Sequence, residues 1–420
     1  MAIFKSTDIL LPEGVDFHKW SVVACDQFTS QPEYWEKAAE IVGDEPSSLK
    51  IIFPEAYLND GNDEERINKI NAEMKKYIDN GLFKEYKDAL IYVERMQSNG
   101  KLRCGIVGAV DLEEYDFNKG SQSLIRATEG TILSRIPPRK RVRIDAPLEL
   151  PHILMLIDDR SKTVIEPLES KKSSFKQLYD FDLMADSGHI TGYLIDEDTK
   201  NAILNSMSVF EDKRVFEEKY GVHDKGVLAI AVGDGNHSLA TAKSCWEDIK
   251  KNLSDEEVKN HPARYALVEL ENIHSEALEF EPIQRVVFGV NPDKVMESFM
   301  NYYPSASYDN NGGQEIRFVF GNKKGAVYVQ NAPSNLPVGT LQKFLDDYLS
   351  KNGGEIDYIH GDDVVCSLAQ KENTIGFMVD RMEKNELFTT VIKDGALPRK
   401  TFSMGEAQDK RFYLECKKIR

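Results

Sequence analysis

The sequence predicts an α+β fold of mixed sheets with helices, divided into two domains. Three observations lead there. Apolar runs of strand type alternate with helical apolar stripes along all 420 residues. One such unit, residues 227–249, passes from a continuous apolar strand through Gly233-Asp234-Gly235 directly into a helix. The pattern then starts afresh from about Pro282. Residues 1–274 are therefore expected to form a larger α+β domain carrying that turn, and residues 275–420 a smaller α/β domain.

Taken in order, a short strand is expected over 20–25, then helices over 33–41 and 64–80, the second with Ile67, Ile70, Met74 and Ile78 as its stripe. Strands follow over 89–94, 102–110 and 152–157. Between the last two lies a basic segment, 121–145, read as a loop stiffened by Pro137-Pro138. A helical piece at 175–179, a strand at 189–194 and a helix at 196–207 lead to the 227–249 unit, and 264–270 reads as a further strand. In the second domain, helices are expected at 293–302 and 339–350. Strands are expected at 315–320, 326–329, 356–359 and 374–378, with an edge strand near 398–405. Trp20, Trp35 and Trp246 fall at apolar positions and are assigned to the core. There is no internal repeat.

Composition narrows the function classes. A hydrophobic content of 41% and a charged content of 29% are those of a soluble globular protein, and a net charge of −17 opposes binding to nucleic acid or to an anionic membrane. Residues 1–11 lack the basic, apolar and small-residue regions of a signal peptide. The cysteines are five and scattered, without a Cys-x-x-Cys pair, so reduced thiols in a cytoplasm are expected and zinc is not. A small-molecule ligand is the expected partner.

The turn Asp234-Gly235-Asn236-His237-Ser238 carries most of the chemistry. A helix opening there aims free backbone N–H groups at an anion. Asp234 and His237 add a base or metal ligand and a proton carrier. The plainer alternative is that Asp234 and Asn236 serve only as turn and cap residues while His237 packs. The basic segment offers Arg126, Thr128, Glu129 and Arg139: cations for phosphate oxygens, a hydroxyl, and a carboxylate to receive a substrate proton or hold magnesium. It also reads as a solvated basic loop in an acidic protein. Asp26 and Gln27, at the end of the first strand, are candidates for substrate contact, whereas Cys25 reads as an inert buried thiol.

Five stretches carry a resemblance: Asp234–Ser238, Arg126–Thr131, Arg264–Leu267, Glu281–Val287 and Leu397–Gly405. On these the sequence is identified as a member of the domain-of-unknown-function 1015 family. The turn also resembles the signature turn of the ParB/sulfiredoxin superfamily, which includes partition proteins, sulfiredoxin and a free-serine kinase. That resemblance implies a strand–turn–helix element that binds nucleotide phosphates, with ATP or ADP and Mg2+ as cofactors. It implies a phosphotransferase or phosphohydrolase acting on a small metabolite such as serine or phosphoserine, the alternative being a noncatalytic sensor of such a ligand. Glu129, Asp234 and His237 would be catalytic; Arg126, Thr128, Arg139, Gly235, Asn236 and Ser238 would bind phosphate. The superfamily pattern has arginine where this chain has Ser238, so either a different basic residue, for which the basic segment is the natural donor, supplies the charge, or this branch has lost tight nucleotide binding.

Overall fold

The computed structural model describes residues 3–58 and 60–420. The chain forms two compact units, one running to Leu278 and taking in Glu406–Arg420, the other Glu279–Gly405.

The first unit is built on a ten-stranded mixed sheet. Its strands in chain order are β1 (Phe4–Lys5), β2 (Ile91–Met96), β3 (Leu102–Asp111), β4 (Tyr115–Asp116), β5 (Ile125–Ala127), β6 (Leu154–Ile157), β7 (Lys176–Asp182), β8 (His189–Leu194), β9 (Ile230–Asp234) and β10 (Tyr265–Asn272). Across the sheet they run β7-β8-β2-β3-β10-β6-β9-β5-β4, with β1 on β3. The central strands β6 and β10 are buried along their whole length, and they lack polar-out alternation because both faces are covered. One face packs a cluster including Tyr92, Ile106, Met155, Val232 and Trp246. The other packs Trp20, Trp35, Val107, Leu267 and Leu414. All three tryptophans are thus core residues.

Two helices position the site. α1 (Ile136–Arg143) has proline in its first turn, where a missing N–H leaves no bond unmade. α2 (Asn236–Ile249) follows β9 after the single residue Gly235. β5 lies parallel to β9, with Ala127 opposite Val232.

The second unit carries a seven-stranded sheet. Its order is Ala306–Ser307, Lys323–Val329, Gln314–Phe320, Thr374–Met378, Phe280–Phe288 and Glu355–His360, with Phe402–Met404 pairing Phe280–Pro282. Helices Pro292–Tyr302 and Pro337–Asn352 meet through Phe299 and Phe344, with ring centroids 4.9 Å apart.

Four expectations differ from what forms. Residues 20–25 are not a strand: Phe17–Trp20 is a helical turn and Val23 makes one bridge, to Phe412. Residues 175–179 are not helical: 176–179 belong to β7, whose Tyr179 ring occupies the space left by Gly192, where a Cβ would fall 2.1 Å from the ring. Pairing with β8 overrides local propensity. The basic segment is not a loop, since it contains β5 and α1. The tail also lies differently from the expected division at 275: Leu10 bridges Cys416 and Lys417 pairs Glu149, so residues 406–420 complete the first unit.

Candidate functional site

The turn after β9 depends on Gly235, whose φ of 79° is left-handed. A Cβ there would lie 3.1 Å from the Ile153 Cα, so no other residue fits without displacing backbone. Asp234 accepts from the Gly235 N–H at 2.9 Å and pairs with the Lys410 ammonium at 3.2 Å. The N-cap of α2 is Gly235, which has no side chain to cap the first turn. The first-turn N–H groups of α2 have no acceptor within the helix and take none from the N-cap.

The basic segment folds against this turn. The Thr128 N–H donates to Asn236 Oδ1 at 3.2 Å, Asn236 Nδ2 donates to Thr128 Oγ1 at 3.3 Å, and the Thr128 hydroxyl donates to the Val232 carbonyl at 2.6 Å. These bonds clamp β5 to the start of α2. Two residues after the segment's Gly130, the Ile132 N–H donates to His237 Nε2 at 3.3 Å, which fixes that nitrogen as an unprotonated acceptor. Burial, reinforced by Arg135 and Arg139, lowers the His237 pKa to about 4, so the ring is neutral at pH 7.

Beside the turn lies a group brought from three distant parts of the chain. The buried His152 ring meets the Tyr413 hydroxyl at Nδ1 (2.7 Å), and both Ser238 Oγ (3.2 Å) and Asp26 Oδ2 (3.6 Å) at Nε2. Burial opposes a charge on His152, but the Asp26 carboxylate outweighs it and, with Asp234 and Glu55, raises the pKa. Burial likewise opposes the Asp26 charge and is overcome by His152, Gln27 and Lys410, which hold that carboxyl well below its usual range. Gln27 donates to Asp26 Oδ1 at 2.9 Å. The result is an ion pair with the Asp26 side chain 28% exposed at the rim. It is not a serine-nucleophile triad: Asp26 and Ser238 share one imidazole nitrogen, whereas that chemistry needs them on opposite nitrogens.

The structure thus gathers Asp26, Gln27, Thr128, Asp234, Gly235, Asn236, His237 and Ser238. Arg139 joins them from α1, acting on His237 electrostatically while paired with Glu55. Arg126 stands apart. Its guanidinium is buried and donates to the carbonyls of Ser123, Gly226 and Val227, ahead of β9 and away from the turn, so it is committed to holding backbone. Glu129 follows the Thr128 clamp, half-buried. Cys25 is a free thiol whose pKa burial pushes up, which makes it a poor nucleophile. Three residues here, Glu55, Lys410 and Tyr413, carry no local sequence signal, and His152 is suggested by the sequence only as a partner for Cys25, which it does not contact as a nucleophile's base.

The family profile described as Protein of unknown function (DUF1015) matches residues 10–348. The chain belongs to the DUF1015 family. No curated protein matches this DUF1015 chain. Among solved structures it is similar to a free serine kinase in complex with AMP, at 11% identity and a TM-score of 0.38, over 76% of this chain and 93% of that one. It is also similar to SbnI with C-terminal truncation from Staphylococcus aureus (11% identity, TM-score 0.36, 71% and 83% covered). A conserved hypothetical protein from Pyrococcus furiosus gives 10% identity and a TM-score of 0.33, over 75% of this chain and 92% of that one. At such scores the correspondence of chain paths is loose, and the roles of residues rest on this chain's own geometry. No helix among the described residues is long and apolar enough to cross a membrane.

Proposed function

We propose that this DUF1015 protein binds the phosphate of a nucleotide or a phosphorylated small metabolite at the first turn of α2 and transfers a phosphoryl group. One juxtaposition carries the reading: an uncapped 14-residue helix beside the Lys410 ammonium and the ionised Asp26–His152 pair. The backbone N–H groups of Asn236, His237 and Ser238 bind the anion, as the ParB/sulfiredoxin-like reading of the turn has it, and Lys410 supplies the charge that Ser238 lacks, Arg139 being held by Glu55. Phosphoryl transfer passes through a loose transition state, so positioning and charge matter more than a strong base. A carboxylate held as strongly ionised as Asp26 suits that role: it accepts a hydrogen bond from the acceptor hydroxyl and orients it, while His152 holds it in place. Asp234 and Glu129 are the other carboxylates on this rim and its adjoining segment. A small hydroxyl-bearing metabolite such as serine is the substrate class this scheme takes in its simplest form.

Magnesium, when it accompanies ATP or ADP, is held largely by phosphate oxygens and one or two carboxylates. Asp26 and Asp234 fit that limited set, and the ion would neutralise charge on the transferring group.

The test is to incubate the protein with Mg2+ and ATP or ADP together with serine or phosphoserine, and to follow phosphate by phosphorus NMR. Turnover that falls at least 100-fold in Asp26→Asn and in Lys410→Met supports the transferase. Turnover unaffected by either variant counts against it. A second reading, a noncatalytic sensor, draws on the loop tied to His237, which exposes Ile132 (48%) and Leu133 (66%) as a contact surface that a ligand at the turn would move. Thermal stabilisation by nucleotide with no turnover is its expected signature.

A further inference from the structure

Behind Ser238 and His152 the site opens into a pocket of about 150 Å³ that the phosphate reading leaves unused. Its deep wall is apolar: Ile51, Phe53, Met74, Leu148 and Ile153 are all buried and all face it. Val142 and Leu150, both half-buried, also line it. Polar groups collect at one end, where Cys25, His152, Ser238 and the Tyr413 hydroxyl line it. Arg139 and Arg143, one turn apart on α1, also border it, but their charges are spent on Glu55 and Glu149, so their stems rather than their heads shape the wall. Interiors are close-packed, and a space of this size lined by aliphatic side chains matches one benzene ring. A serine-sized substrate would leave it empty.

We propose that the ligand of this site carries a compact apolar body, an aromatic ring or branched aliphatic group of about six carbons, seated in this pocket with its anionic group at the first turn of α2. This rests on the phosphate reading for the position of the anion and on the pocket alone for the apolar body. The wall sets specificity by size: a longer body meets Met74 and Ile51, and a polar one meets no partner along that apolar wall.

The experiment uses the full chain, with isoleucine methyl NMR reporting on Ile51 and Ile153 while toluene, phenyl phosphate and inorganic phosphate are titrated in turn. Toluene is expected to shift both methyls, and phenyl phosphate to bind at least tenfold more tightly than inorganic phosphate. Val142→Phe, which fills the pocket from a half-buried lining position, is expected to abolish that preference and leave inorganic phosphate binding unchanged. Leu150→Trp is the second filling variant, and a urea unfolding curve shows that each is folded. Toluene leaving the methyls unmoved, together with equal affinity for the two phosphates, overturns the proposal. A toluene response in a protein that binds no phosphate supports the apolar pocket and overturns the anion reading alone.

Discussion

His237 is the second residue of α2, where the partial positive charge of a helix N-terminus suits a neutral imidazole and repels an imidazolium. Burial, Arg135 and Arg139 act in the same direction and lower its pKa to about 4. The sign of the resulting pH dependence follows. Between about 4 and the unfolded value near 6.5 only the unfolded chain takes up the proton, so this contribution to stability is whole above 6.5 and is lost as pH falls. Urea unfolding at pH 7.5 and pH 5 should show about 2 kcal/mol of pH-dependent loss that His237→Gln does not share. Equal losses in the two proteins would contradict the assignment. His152 has the opposite linkage: its raised pKa adds stability below 6.5 that fades as pH rises through the folded value. The sequence shows His237 beside Asp234 and suggests a proton carrier. What decides its state is burial together with arginines about a hundred residues earlier, which no local pattern reports. His152 was harder still to read, because its Tyr413 partner lies 261 positions away.

At the scale of elements, the strand, turn and helix around Gly235 were legible because each part is local: an apolar β-branched run, a left-handed glycine and a 3.6-residue stripe. The helices at Pro32–Val42, Asp63–Asp79 and Glu197–Met207 were legible for the same reason. β7 was not, since its strand state comes from pairing with β8 and from the gap at Gly192. α1 was not either: consecutive prolines read as a stiff loop, yet they occupy the first turn of a helix, whose next turns pack on α2. Gly235 gives the element-scale prediction. Gly235→Ala must accept a left-handed φ and a Cβ 3.1 Å from the Ile153 Cα, so a loss of about 1–2 kcal/mol is expected in chemical unfolding. Because the strain falls on the residue ahead of the free N–H groups, phosphate affinity should drop as well. Ala at Gly130, exposed and with nothing within 4 Å of its Cβ, is the control that should leave both unchanged.

At the scale of the molecule, the last fifteen residues decide whether the first unit has a site at all. They return from the second unit, bond to the segment leading to Asp26, and present Lys410 to Asp234 and Tyr413 to His152. What anchors them is buried charge. Arg411 bonds Glu269 and Glu415 at 2.7 Å each, and Arg95 and Arg103 donate to the carbonyls of Gln408 and Asp409. β3 makes room for this with Gly105, where a Cβ would lie 2.7 Å from Glu269 Oε1. Such a network adds little net stability against an apolar replacement, but removing one member strands the others. Arg411→Met should therefore cost about 3–5 kcal/mol in urea unfolding. The triple variant Arg411→Met, Glu269→Gln, Glu415→Gln should recover part of that, because no uncompensated charge is left buried. If the tail served only as packing, the triple variant would restore ligand binding along with stability. If buried charge sets the register that places Lys410 and Tyr413, stability should return while phosphate binding stays at least tenfold weaker, and titration calorimetry on the folded triple variant separates the two.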